Sequence, residues 1–203
     1  SAAPPSLPFW VFLGSGEPRP QDVGRLVDTG SSDQIITVNI DQKLGGYNHN
    51  YLISTVVDGI KLLVAHDKCS MIGMSPDCGP FSALRCLPLE NESKPLLFSI
   101  WEPDGIKALK GRDAMERDAA LSAMRAVVDV GCTAIKAQRG VWWEGPVGRG
   151  SDAGPWAILG QENHSPIWNL SFVKTMISEH GLVFVYCDQG GAGAESAKAT
   201  AWL

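Results

Sequence analysis

Short apolar runs alternate with segments of helical period along this chain, and that alternation restricts the fold more than any other feature. Phe9–Leu13, Gln34–Ile40, Tyr51–Val57 and Cys69–Met74 each read as a strand, with helices expected over Gln21–Val27 and Gly59–His66. A strand, a helix and a second strand in succession predict a parallel sheet, because parallel neighbours need a crossover connection. Leu87–Lys110, punctuated by Pro88, Pro95, Pro103 and Gly105, reads as irregular. The clearest helix follows over Arg112–Val130, where Ala120, Met124, Val127 and Val128 share one face and Gly131 is expected to end it. Thr133–Ala137 reads as a strand, residues 140–155 as a glycine-rich loop around Trp142 and Trp143, and Trp156–Leu159 as another short apolar run. Ser165 and Pro166 open a predicted helix carrying Trp168, Phe172 and Met176 until Gly181, and Leu182–Tyr186 and Ala199–Leu203 read as late strands. The expected organisation is an irregular segment over 1–8 followed by one α/β domain over 9–203.

Composition narrows the class of partner and compartment. With 203 residues and 44% hydrophobic content the chain can bury one α/β core. Its 17 basic and 22 acidic residues give a net charge of −5, whereas a domain held to duplex DNA through phosphates is usually basic. Cys69, Cys78, Cys86, Cys132 and Cys187 lie far apart, without CxxC or Cys/His ligand spacing. The pattern indicates neither a disulfide framework nor a metal site, and it points to a reducing intracellular compartment, nucleus or cytoplasm. No apolar stretch reaches the roughly 18–20 residues that cross a bilayer. The segment Ser1–Ser6 has no charged stretch leading into an apolar run and reads as a processed end rather than a signal peptide.

Candidate chemistry gathers where predicted strands end. Gly14-Ser15-Gly16 after the first strand either forms a simple turn or leaves backbone open to a ligand, with a helix amino terminus behind it favouring negative charge. Asp41 stands 25 residues beyond Gly16, at the end of the next strand, where nucleotide-binding α/β folds place a carboxylate for ribose hydroxyls; the alternative is a solvated strand-end aspartate. Asp58 would face an adenine edge or simply form an Asp-Gly turn. Arg19 occupies the place of the third glycine of GxGxxG, which disfavours a dinucleotide and suits a single-nucleoside cofactor such as S-adenosylmethionine.

Cys78 follows Ser75-Pro76-Asp77 and opens Cys78-Gly79-Pro80-Phe81-Ser82, a loop suited to presenting a thiolate, although a small buried thiol would also fit. A thiolate that adds to carbon 6 of a pyrimidine makes carbon 5 nucleophilic enough to take a methyl group from a sulfonium, provided an acid supports the ring nitrogen. Glu162, beside Asn163 after the run Trp156–Leu159, could be that acid or an exposed loop carboxylate.

These motifs, in this order, resemble the S-adenosylmethionine-dependent cytosine-5 DNA methyltransferases. Gly14-Ser15-Gly16 is similar to the family's cofactor turn, Asp41 to its ribose-binding acid, Ser75-Pro76-Asp77-Cys78 to its Pro-Pro-Cys loop and Glu162-Asn163 to its Glu-Asn pair. Compact, divergent members resemble the chain further in Cys78–Ser82, in Ser165-Pro166-Ile167-Trp168 and in Lys198-Ala199-Thr200. The resemblance implies a Rossmann-like class I methyltransferase fold, a mostly parallel sheet with helices on both faces. It implies S-adenosylmethionine as cofactor, held by Gly14, Ser15, Gly16, Asp41 and Asp58, and methylation of cytosine in nucleic acid, DNA before RNA, by Cys78 and Glu162.

Three departures support a second reading. Asp77 replaces the proline before the nucleophile, where its charge would raise the thiol pKa. No target-recognition domain is recognisable, and Gln189-Gly190-Gly191 stands where an arginine pair is expected. The alternative is a catalytically silent methyltransferase-like module that binds protein partners in a larger assembly. Trp142 and Trp143, flanked by Arg139 and Arg149, read either as a stacking surface for unpaired bases or as a packing lid or protein contact.

Overall fold

A computed structural model describes residues 7–14, 35–77, 79–81, 96–99, 101–146, 166–183, 185–188 and 199–202. The chain divides into two units, Ser1–Pro76 with Ala126–Trp143, and Asp77–Arg125 with Glu144–Leu203.

The first unit is built on a parallel sheet. Strands β1 (Phe9–Leu13), β2 (Ile36–Ile40), β3 (Cys69–Met74) and the start of β4 (Gly140–Pro146) lie side by side in the order β2-β1-β3-β4, all parallel. This is the α/β, Rossmann-like architecture that the alternation predicts. Two short elements follow β2, the single helical turn α1 (Gln42–Gly45) and a 3-10 turn (Gly46–His49), before helix α2 (Ser54–Ala65) returns the chain to β3. The long helix α3 (Gly111–Lys136) leads into β4.

The crossovers β2-α2-β3 and β3-α3-β4 step across the sheet in the same direction. Right-handed connections therefore put α2 and the end of α3 on one face, and Lys61 of α2 pairs with Asp129 of α3 at 2.7 Å, as that placement requires. From β1 the chain moves outward to β2, then back past β1 to β3. The winding reverses between β1 and β3, which makes their carboxyl ends a topological switch point.

Strand register explains much of the core. The lateral row Ile40, Leu13, Met74 and Trp143 is buried throughout. On the row beside it, Gly73 stands between Phe12 and Trp142, whose rings meet edge-on at 5.7 Å. A Cβ on Gly73 would lie 2.5 Å from the Trp142 ring, so the absent side chain makes the aromatic contact possible. Val57, Ile60 and Val64 recur at i, i+3 and i+7 and supply the buried stripe of α2.

The second unit has its own apolar cluster. Phe81 stacks on Phe98 at 4.5 Å, and Ile167, Leu170, Val173 and Met176 are buried around α4 (Ser171–His180). Leu170 makes no side-chain cap for α4; the Asp104 carboxylate accepts from the Ser171 amide at 2.8 Å instead. Gly181 ends that helix in the left-handed region at φ 62. Strand β6 (Ala199–Trp202) pairs antiparallel with both β5 (Val185–Asp188) and residues 144–146 of β4.

Several sequence expectations are corrected. Tyr51–Val57 is not a strand: its β-branched residues begin α2, because Val57 is buried together with Ile60 and Val64 at helical spacing. Gly131 does not stop α3, and Thr133–Ala137 is not a strand, since the helix runs to Lys136. The first part of the predicted 140–155 loop is β4, recruited by pairing with β3. The helix expected from Pro166 begins as a 3-10 turn (Pro166–Asn169), with α4 proper starting at Ser171. The helix expected over Gln21–Val27 and the run Trp156–Leu159 lie outside the described residues.

Candidate functional site at the carboxyl ends of β1 and β2

Gly14 is the first residue past β1 and takes φ 71, a conformation that favours glycine. A Cβ there would fall 2.2 Å from the Ser75 carbonyl oxygen, so the chain leaving β1 is pressed against the chain leaving β3. Ladder bonds extend beyond the strands on both sides: the Gly14 amide donates to the Ile40 carbonyl at 2.9 Å, and the Ser75 amide donates to the Leu13 carbonyl at 2.8 Å. The glycine thus closes the switch point, where the sequence left open a turn that exposes backbone. Ser15 and Gly16 lie outside the described residues.

Asp41 is the buried charged residue of the described chain, at 8% exposure. One carboxylate oxygen accepts from the Lys43 amide at 2.7 Å and caps α1, so this is not the solvated strand-end aspartate of the alternative reading. The Nδ1 atom of His49 lies 3.1 Å from both the amide nitrogen and the carbonyl oxygen of Asp41. A bare Nδ1 accepts from the amide; a protonated one donates to the carbonyl. Gly45 permits that approach, since a Cβ on it would meet the His49 ring at 2.1 Å.

Tyr51 completes the cluster. Its hydroxyl donates to the Ile40 carbonyl at 2.7 Å, the same oxygen that takes the Gly14 amide. Burial drives the Tyr51 phenol well above its ordinary pKa; the Gly14 backbone opposes this and the nearby Asp41 charge adds to it. Neither Tyr51 nor His49 was marked by the sequence, where Tyr51 read as a strand residue and the histidines lacked motif spacing. The available signal was their position within ten residues of Asp41, on a loop too short to do more than fold back on it.

Asp58 does not stand at a strand end. It is an exposed residue on the second turn of α2, which removes the argument that placed it against an adenine edge.

Cys78 and Glu162 lie outside the described residues, but the neighbours of Cys78 are informative. The Asp77 carboxylate accepts from the Gly79 amide at 2.9 Å, an Asx turn that leads into the 3-10 turn Gly79–Phe81. Asp77 therefore has a local structural task that the sequence did not suggest. Cys69 is fully buried with its thiol pushed up by burial, and Cys132 is half-buried. Trp143 is fully buried and Trp142 packs on Phe12, so the tryptophan pair is core rather than a platform for bases.

In the second unit a cleft of about 440 Å³ is lined by Trp101, Asp104, Lys107, Arg117 and Asp118, among others. Its polar groups serve the fold of the unit: Arg117 donates to the Ile106 carbonyl at 2.6 Å and pairs with Asp118 at 2.7 Å, and Asp104 caps α4. Among the described residues no group of three or more His, Cys, Asp or Glu could hold a metal ion. No described helix is long and apolar enough to cross a membrane.

The chain is an α/β protein with a Rossmann-like parallel sheet and a polar cluster at the carboxyl ends of its first two strands. No protein-family model, curated protein or solved structure matches it.

Proposed function

We propose that this chain binds S-adenosylmethionine and transfers its methyl group to carbon 5 of cytosine in nucleic acid, DNA before RNA. The observation that carries the cofactor half is the buried Asp41 carboxylate at the end of β2, tied through the Ile40 peptide to Gly14 at the end of β1. Ligands of open α/β sheets bind outside the carboxyl ends of the strands near a switch point, and a carboxylate on the strand beside the first is suited to a ribose diol.

The catalytic half rests on the Cys78 and Glu162 motifs. The Cys78 thiolate would add to carbon 6 while Glu162 supports ring nitrogen 3. Carbon 5 then attacks the methyl carbon, and the sulfonium leaves as the neutral thioether S-adenosylhomocysteine. Loss of the carbon 5 proton to a base and expulsion of the thiolate restore the aromatic ring.

A silent, partner-binding module is the second reading, and Asp77 is the observation that favours it. Its carboxylate serves the loop as a turn acceptor in the position where the family resemblance expects proline. Two measurements separate the readings. Calorimetric titration with S-adenosylhomocysteine should show binding, and Asp41→Ala should weaken it by roughly 1–3 kcal/mol if the lost bonds are charge-assisted. Incubation with 5-fluorocytosine DNA and S-adenosylmethionine should trap a covalent complex that Cys78→Ser abolishes. Binding without trapping supports the silent module; absence of binding overturns the enzyme reading.

A further inference from the structure

We propose that Tyr51 is the positioning residue of the nucleotide end of this site, holding the Asp41 carboxylate in register with the Gly14 turn for an adenosyl ligand with an intact ribose diol. The inference rests on the cofactor reading above and adds to it a residue that no motif contains.

The geometry is specific to one peptide. The Ile40 carbonyl lies where the β1/β2 ladder ends, and it accepts from Gly14 on the neighbouring strand and from Tyr51 on its own loop. A carbonyl oxygen has two lone pairs, and both are used. The other side of the same peptide is the Asp41 amide, which faces His49 Nδ1, while the Asp41 side chain caps α1. The Asp41 carboxylate is thus held by the Lys43 amide, its own amide by His49 and its carbonyl by the Leu44 and Gly45 amides, while Tyr51 and Gly14 hold the Ile40 carbonyl on the other side of the peptide. The loop from Asp41 to Tyr51 folds back on its own first residue.

A sheet does not need this arrangement in order to end. A chain leaving β2 for α2 could take a short polar turn with its strand-end carbonyl in water. Here a half-buried phenol satisfies that carbonyl, and withdrawing a hydroxyl from water is favourable only when its hydrogen bond is made. The consequence is a carboxylate whose backbone cannot swing away from β1. An interaction preorganised in this way loses little freedom when a ligand forms hydrogen bonds to it. Ligand atoms that do not touch Asp41 gain nothing from it, which distinguishes positioning from general support of the fold.

The test compares two ligands, S-adenosylhomocysteine and its 2′,3′-dideoxy analogue, in wild type and Tyr51→Phe, with urea midpoints recorded alongside. The expected result is a loss of about three- to tenfold in affinity for S-adenosylhomocysteine and no change for the dideoxy analogue. In an Asp41→Ala background the Tyr51→Phe change should cause no further loss, since Tyr51 acts through Asp41. His49→Ala, which removes the ring facing the Asp41 amide, provides an independent variant and should show the same selectivity between the ligands. Equal losses for both ligands, additive losses with Asp41→Ala, or unchanged affinity in Tyr51→Phe would each overturn the positioning role while leaving the cofactor reading intact. Failure of wild type to bind either ligand would overturn the cofactor reading, and this inference with it.

Discussion

Replacing Gly14 with alanine separates two costs that glycine avoids at the switch point. The first is conformational: at φ 71 an L-residue costs roughly 1–2 kcal/mol relative to glycine. The second is steric, because the new methyl group would sit 2.2 Å from the Ser75 carbonyl oxygen and 2.9 Å from its carbon. Backbone cannot rotate away as a side chain can, so the strand ends of β1 and β3 must part, at a further cost of about 1–3 kcal/mol. Reduced freedom of the unfolded chain returns about 0.4–1 kcal/mol, leaving a net loss of roughly 1–4.5 kcal/mol. Gly181→Ala is the control, since Gly181 is left-handed at φ 62 and ψ 35 with nothing within 4 Å of the added Cβ; it should lose only the conformational part. Urea unfolding of both variants, with slopes unchanged, gives the difference directly from the midpoints. If Gly14→Ala is no more destabilised than Gly181→Ala, the contact with Ser75 is not a constraint and the account of a closed switch point is wrong.

Other outcomes follow from single contacts. Asp77→Asn keeps an oxygen for the Gly79 amide while removing the charge, so with the other four cysteines replaced, iodoacetamide alkylation of Cys78 should shift to lower pH. An unchanged profile would show that the Asp77 charge does not act on the thiol. Trp143→Ala should cost about 3–5 kcal/mol, whereas Trp101→Ala, at 86% exposure, should stay within about 0.5 kcal/mol; similar losses in chemical denaturation would contradict the assigned core. The raised Tyr51 pKa gives a signed pH effect. Above the ordinary tyrosine value of about 10 the unfolded chain releases this proton while the folded chain retains it, so that stability falls as pH rises from there. Tyr51→Phe should remove that part of the decline, and parallel urea midpoints for the two proteins across pH 9–11.5 would refute the burial of the phenol.

What the sequence determined was local. Phe9–Leu13 and Cys69–Met74 are strands because each is a short apolar run bounded by a turn, and α3 carries Ala120, Met124, Val127 and Val128 at a spacing only a helix brings together. Asp41 was legible for the same reason, as the first polar residue after such a run. Tertiary structure decided where local preference was ambiguous or opposed. Thr55, Val56 and Val57 favour a strand by residue type, yet burial of Val57 with Ile60 and Val64 yields more apolar contact as a helix. Gly131 is buried within α3, and the helix continues through a residue that usually stops helices because Val127, Val130 and Ala134 around it are buried as well. Trp142 and Trp143 lie in a segment whose glycines suggest a loop; pairing of 140–143 with 71–74 makes it a strand, a contact between residues about seventy positions apart. Tyr51 is the clearest case. Its role depends on the Ile40 carbonyl meeting the Gly14 amide across two strands, and no window of sequence contains both partners.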